Sequence, residues 1–227
     1  MKRILIICSL FAAATLSSSA IATELETESQ KLGYIIGMDI GQSLKEQGTD
    51  IDLSSLIDAI TATYNGTELA MTPEEAASIR EGFIAARRAE AEQARMAAGA
   101  GNAAEGDAFL LENRTKEGVQ VTDSGLQYKV IEMGDGAKPS ATDNVTVHYR
   151  GSLLNGQEFD SSYSRNEPTS FRLDQVIPGW TEGLQLMPVG SKFMFFIPSN
   201  LAYGPNGGGP IGPNATLIFE VELISIN

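Results

Sequence analysis

One histidine, His148, and one cysteine, Cys8, are all the imidazole and thiol that these 227 residues offer. A Cys–His nucleophile pair, a cysteine-rich zinc site and a disulfide framework all need more thiols than that. A histidine-rich metal site is equally out of reach. Serines and aspartates are present, but the sole histidine has no nucleophile near it in sequence that would suit acyl transfer, so a hydrolase is a distant reading. The formal charge is −13. No basic patch suited to phosphate backbones is visible, which argues against a nucleic-acid partner. The chemistry open to this chain is therefore chemistry without a reactive thiol, a metal cage or a polyanion.

The segments that would carry such chemistry come after an N-terminal leader. Lys2 and Arg3 are followed by an apolar run from Ile4 to Ala14, then by small residues ending in Ala20-Ile21-Ala22. The run is too short to span a bilayer. The pattern predicts a secretory signal over residues 1–22, cut before Thr23. Cys8 lies too early in the run for a lipid-attachment site. Residues 1–22 hold two bases and no acid, so the remainder carries −15 and no cysteine. A cysteine-free protein suits an oxidising compartment, and its acidity disfavours anionic membrane surfaces.

Eight of the nine prolines lie after residue 118 and only Pro73 before it. Proline breaks helix interiors, so residues 23–117 can be helical and residues 118–227 cannot be mostly so. Thr27 caps a helix with Gln30 at its third position and with Leu32, Ile35, Ile36, Ile40 and Leu44 at helical spacing. Gly48 ends it. A second helix is predicted from about Asp52, with Leu53, Leu56, Ile57, Ile60 and Tyr64 on one face and Asn65-Gly66 as the stop. Thr72-Pro73-Glu74-Glu75 starts a third. Its helix formers continue towards Arg114, with kinks or fraying expected at Gly99, Gly101 and Gly106. Such a helix would be roughly 60 Å long, an arm rather than part of a small domain.

Gly33, Gly37 and Gly41 repeat along one stripe of the first helix. Each costs a helix about 0.5–1 kcal/mol relative to alanine, so the stripe predicts a close helix–helix crossing. Lys31, Asp39 and Lys45 exclude a membrane-spanning seam. Two short helices and an arm bury little surface alone, which favours pairing with a second copy. Packing within the chain is the alternative.

The second half reads as a small β-rich domain. Strands are predicted over residues 126–131, 145–150, 192–197 and 216–226. Val145, Val147 and Tyr149 share one face, as do Leu217, Phe219, Val221 and Leu223. Asn155-Gly156 marks a tight turn, and residues 176–184 a turn into one short helix. The fold class is α+β, an antiparallel sheet wrapped on a short helix.

The strings VTVHYRGSLLNGQEFDSS, QVIPGWTEGLQLMPVGSK and LAYGPNGGGPIGPNATLIFEVEL, in that order, resemble the FKBP-type peptidyl-prolyl cis-trans isomerases. The helical first half and the NAAEGDAFLLENRTKEGVQV junction are similar to the macrophage-infectivity-potentiator-like branch, exported bacterial proteins that pair through their N-terminal helices. The resemblance covers the chain from residue 23 onward. It implies three segments: a signal at 1–22, a helical dimerisation domain with linker helix at 23–117, and an isomerase domain at 118–227.

The resemblance also implies a proline pocket. Tyr149, Phe159, Trp180, Tyr203 and Phe219 correspond to its aromatic lining, with Trp180 as the floor. Val176 and Ile177 correspond to its edge, where the Ile177 N–H would bond a substrate carbonyl. Asp160 follows Phe159 as in the family's F-D motif. Arg165 falls where a basic partner often orients the aspartate and a tyrosine. Tyr203 would offer its hydroxyl to the substrate backbone. Two positions depart: Thr169 stands where many members have an aromatic, which predicts a more open wall, and the Asn206-Gly207-Gly208-Gly209 loop lacks histidine. Phe193, Phe195 and Phe196 are assigned to the core, and His148 to a structural role facing away from Tyr149.

No cofactor or metal is implied. The clients would be proline-containing unfolded or peptide chains, and macrolide inhibitors are expected to bind the pocket. The expected location is the periplasm of a Gram-negative bacterium, either free or resting on the outer membrane, with no transmembrane segment. The chemistry matches what the chain lacks. Rotation about a peptide bond is opposed by a barrier of roughly 18–20 kcal/mol, and a site that favours the twisted amide needs no nucleophile. The alternative is a periplasmic chaperone or peptide-binding clamp in which isomerisation is incidental.

Overall fold

Thr27 opens α1 (Glu28–Glu46) as a full capping box, its side chain bonding the Gln30 N–H while the Gln30 side chain reaches back. Asp52 caps α2 (Leu53–Asn65) through the Ser55 N–H, and Gly66 closes it in a left-handed conformation. These helices belong to a computed structural model that describes residues 24–48 and 50–227. The leader expected at 1–22, its cleavage before Thr23, and Cys8 lie outside those residues. The chain divides into two units, one ending at Thr72 and one running from Pro73 to Asn227.

In the first unit no residue of α1 or α2 is buried. Leu32, Tyr34, Ile35, Ile36, Ile57 and Ile60 all stand half-exposed. A Cβ built on Gly33, Gly37 or Gly41 would meet nothing within 4 Å. The glycine stripe is thus free of intramolecular packing among the described residues.

The second unit begins with α3 (Pro73–Asn113), 41 residues without a break. The helix continues through its glycines without the fraying expected there. Gly99 and Gly106 are buried in its last third instead, and each permits a close approach: a side chain at Gly99 would crowd Pro213 and Asn214, and one at Gly106 would collide with Thr216. Phe109 meets Phe196 at 5.8 Å between ring centroids. Gln127 donates to the Leu110 carbonyl (2.8 Å) and accepts from Asn113 (3.0 Å). The C-terminal third of the helix is part of the sheet domain's packing.

Seven antiparallel strands follow: β1 (Val119–Val121), β2 (Gln127–Glu132), β3 (Asn144–Leu153), β4 (Glu158–Ser161), β5 (Thr169–Arg172), β6 (Lys192–Ile197) and β7 (Leu217–Ile226). Their order is β1-β2-β6-β7-β3-β4, with β5 on the first part of β3. Both β4 and β5 pair with β3 because it is ten residues long. Alternation puts Val145, Val147, Tyr149, Phe193, Phe195, Ile197, Leu217, Phe219, Val221 and Leu223 on the inner face, all buried. The short helix α4 (Pro178–Leu184) lies across that face.

Two glycines let α4 come close. A side chain at Gly179 would strike Ile197, and one at Gly183 would strike the Phe195 ring at 2.6 Å. Both glycines are buried. The same substitution in two helices therefore has opposite outcomes. Gly101→Ala, where a Cβ meets nothing, is expected to stabilise by about 0.5–1 kcal/mol. Gly183→Ala is expected to cost about 1–3 kcal/mol, a fall in Tm of roughly 2–4 °C per kcal/mol at this size. Thermal melts of the two variants check both signs.

Candidate active site

The core face of the sheet ends in a hollow of about 620 Å³ between β3, β4, β7 and the N-terminal end of α4. Pro178 at the first position of α4 sets the entry turn, and Trp180 follows two residues later, buried at the bottom. Three rings stand edge-on to the indole: Tyr149 at 5.2 Å and 84°, Phe171 at 5.4 Å and 88°, and Phe219 at 5.2 Å and 78°. Phe159 stands edge-on to Phe219 at 5.5 Å. Such edge-to-face pairs contribute about 0.5–1.5 kcal/mol each beyond burial and fix ring orientation. Gly151 on β3 makes room for them, since a Cβ there would enter both the Phe159 and Phe219 rings.

All eight residues expected to line a pocket do line this one: Tyr149, Phe159, Asp160, Val176, Ile177, Trp180, Tyr203 and Phe219. Val176 and Ile177 form one lip, Ile177 being the N-cap of α4. Its N–H makes no hydrogen bond among the described residues. Tyr203 stands on the opposite lip, 44% exposed. The buried Trp180 Nε1–H likewise has no acceptor among the described residues.

Phe171 was not anticipated. The wall expected to be open at Thr169 receives its ring from two residues further along β5, on the same side of the strand. Gln175, Gly208, Pro210 and Ile211 complete the lining. The only sequence signal for Phe171 is the period-2 relation to Thr169.

Beside this apolar floor lies one carboxylate, and it is tied on two sides. Tyr149 Oη donates to Asp160 Oδ2 (2.6 Å), Arg165 Nη1 donates to Asp160 Oδ1 (2.6 Å), and Arg165 Nη2 donates to Tyr149 Oη (2.9 Å). The three groups close a triangle. Burial raises the pKa of Asp160, but hydrogen bonds from Tyr149 and Arg165 and the guanidinium charge outweigh it, and the net shift is downward. Burial, then the Asp160 hydrogen bond, pushes the Tyr149 hydroxyl up. Hydrogen bonds to Asp160 and Tyr149 raise Arg165. At neutral pH the carboxylate is ionised, the guanidinium charged and the phenol neutral, each committed to the others.

His148 points to the other face of β3, bonding Ser162 Oγ (2.9 Å) and stacking on Tyr163 at 4.7 Å. It takes no part in the hollow. The site therefore presents aromatic walls, a free backbone N–H on one lip and a phenol on the other.

The depressed Asp160 gives a sign for pH dependence. Its contribution to stability is present above its unfolded pKa of about 3.9 and is lost as pH falls through the lower folded value. Acid titration of unfolding should show a steeper loss below about pH 4 for the unaltered chain than for Asp160→Asn. Parallel curves would mean that the triangle does not couple the carboxylate to the fold.

Comparison with known proteins places this geometry. A sequence profile described as FKBP-type peptidyl-prolyl cis-trans isomerase matches residues 135–224, and one for the domain amino-terminal to such isomerases matches residues 29–130. The outer membrane protein MIP of Legionella longbeachae is 46% identical over 95% of this chain and 93% of its own. A probable FKBP-type isomerase FkpA of Neisseria meningitidis is 48% identical over 87% of this chain and 74% of its own. The crystal structure of FkpA from Escherichia coli superposes with a TM-score of 0.74 at 37% identity, covering 90% of this chain and 99% of that one.

Proposed function

Because the chain belongs to the FKBP-type peptidyl-prolyl cis-trans isomerases and is an enzyme of that class, we propose that bonds preceding proline turn in the hollow over Trp180. The observation that carries this reading is the closed Tyr149–Asp160–Arg165 triangle beside an aromatic floor. It leaves the one carboxylate of the hollow committed to its neighbours rather than free to attack or to exchange a proton.

The planar amide is the charge-separated form, with its nitrogen lone pair delocalised onto oxygen. Water stabilises that form. A prolyl ring seated against Trp180, Phe159 and Phe219 takes its amide out of water. The twisted amide has less charge separation and loses less on transfer, so the hollow binds it better than either planar state. The Ile177 N–H and the Tyr203 hydroxyl would hold the flanking carbonyls, so that only the bond before proline rotates. Arg165 acts through Asp160 and Tyr149 and positions rather than touches the substrate. Val176 continues the lip. A rigid ring-lined hollow of this size also suits a macrolide.

The unpacked stripe of Gly33, Gly37 and Gly41 and the exposed apolar residues of α1 and α2 support pairing with a second copy. Residues 23–117 would then serve pairing and presentation, and residues 118–227 catalysis. No described helix is long and apolar enough to cross a membrane. The leader-like residues 1–22 support export to the periplasm of a Gram-negative cell, with proline-containing chains folding there as clients.

Tyr203→Phe should lower kcat/KM on a short proline peptide by roughly two- to thirteenfold, the worth of one hydrogen bond of about 0.5–1.5 kcal/mol. Trp180→Ala should reduce it much further. An isomer-specific assay that needs no protease reads both, and full activity in the Trp180 variant would displace the reaction from this hollow. A chain lacking residues 23–72 should sediment as a monomer yet still turn short peptides. An unchanged sedimentation mass would defeat pairing through α1 and α2.

A further inference from the structure

The loop from Gly204 to Asn214 supplies Gly208, Pro210 and Ile211 to the hollow and follows directly on Tyr203. Its base is closed by the Asn214 N–H on the Gly204 carbonyl (2.9 Å). At its tip Gly208 and Ile211 exchange backbone bonds of 2.8 and 3.0 Å. Neither feature anchors the loop as a whole, for three of its glycines, Gly204, Gly207 and Gly209, have positive φ and a chain so built has wide conformational freedom.

What anchors it is α3. Asn102 Nδ2 donates to the Pro213 carbonyl (2.8 Å), Asn214 Nδ2 donates to the Gly99 carbonyl (3.2 Å), and Arg95 Nη1 donates to the Pro205 carbonyl (3.2 Å). The first two form a reciprocal pair, each asparagine amide on the other segment's backbone. The fit is close. A side chain at Gly212 would lie 2.9 Å from Asn102 Nδ2, and one at Gly99 would lie 3.3 Å from Asn214 Nδ2. Asn214 itself holds a positive φ of 55°, which asparagine tolerates better than most residues.

We propose that Asn102, Asn214 and Arg95 are positioning residues for the isomerase site: α3 straps the back of the Gly204–Asn214 loop and thereby holds the apolar wall formed by Pro210 and Ile211. This rests on the hollow being the site of turnover. The wall faces whatever flanks the prolyl ring, so the strap governs discrimination among residues next to proline. Bulky apolar neighbours gain from a fixed wall; an alanine neighbour gains little. Releasing the strap therefore narrows selectivity rather than abolishing catalysis, and the connecting helix contributes to substrate choice without touching substrate.

The test compares the unaltered chain with Asn102→Ala and Asn214→Gly. The second variant keeps a backbone suited to positive φ while removing the donor, and Asn102→Ala removes its donor without adding a glycine, so an effect shared by both belongs to the hydrogen bonds. Met96→Ala, on an exposed part of the same helix, is the control. For each, kcat/KM is measured on paired peptides with leucine or alanine before proline, and hydrogen exchange is followed at the Gly208 and Ile211 amides. The strap predicts a two- to fivefold fall in the leucine-to-alanine ratio in both asparagine variants, faster exchange at both amides, and no change in the control. An unaltered ratio, or equal losses on both peptides with exchange unchanged, overturns it. The exchange arm needs no turnover, so it judges the strap even if the hollow proves not to be the catalytic site.

Discussion

An apolar hollow with a carboxylate on its rim survives only if that carboxylate is fully occupied. Asp160 is: one oxygen takes the Tyr149 hydroxyl and the other the Arg165 guanidinium, and Arg165 reaches back to Tyr149. Left alone, the carboxylate would draw water into the hollow or shift toward its neutral form. Tied in this way, it orients Tyr149, and Tyr149 is one of the three rings that fix Trp180. The orientation of the floor thus has its origin in three side chains from β3, β4 and the segment after β4.

The rest of the domain positions that arrangement. β3 is long enough to hold β4 on one part and β5 on another, which brings Phe159 against Phe219 and Phe171 against Trp180. α4 carries Trp180 and lies close to the sheet because Gly179 and Gly183 have no side chains to prevent it. β7 supplies Phe219, and Gly151 opposite it leaves the space its ring occupies. Small residues at the points of closest approach and large rings between them form one design. The C-terminal third of α3 extends it, since Gly99 and Gly106 let the helix bed against the domain that it introduces.

Much of this was legible in the sequence, for identifiable reasons. The Thr27 capping box, the Asp52 cap and the Gly66 stop are local chemistry and fall where the residues indicate. The long strands alternate cleanly and fall where the alternation indicates, except that β3 runs three residues past Arg150, to Leu153. The lining residues were reached through resemblance, because rings that converge from β3, β4, α4 and β7 have no local signature. β1, β4 and β5 were missed: three or four residues are too few to show a period. The glycines of α3 were read as weaknesses because propensity is local, whereas their use is a contact with residues more than a hundred positions away. Phe171 has no signal of its own beyond lying two residues past Thr169 on the same face of β5. The strap from α3 to the Gly204–Asn214 loop joins side-chain amides to distant backbone carbonyls, a pairing that no spacing reveals.

On the proposed mechanism, an unreactive, ring-lined hollow eases rotation about the bond before proline with no proton in flight. Acid–base catalysis would leave a bell-shaped pH profile. The direct measurement is kcat/KM for exchange in a short proline peptide between about pH 7 and 9, in water and in deuterium oxide. With Asp160 shifted down and Tyr149 up, the profile should be flat and the solvent isotope effect close to unity. A bell-shaped profile with a normal isotope effect of about two or more would mean that a group in the hollow transfers a proton, and the account would be wrong.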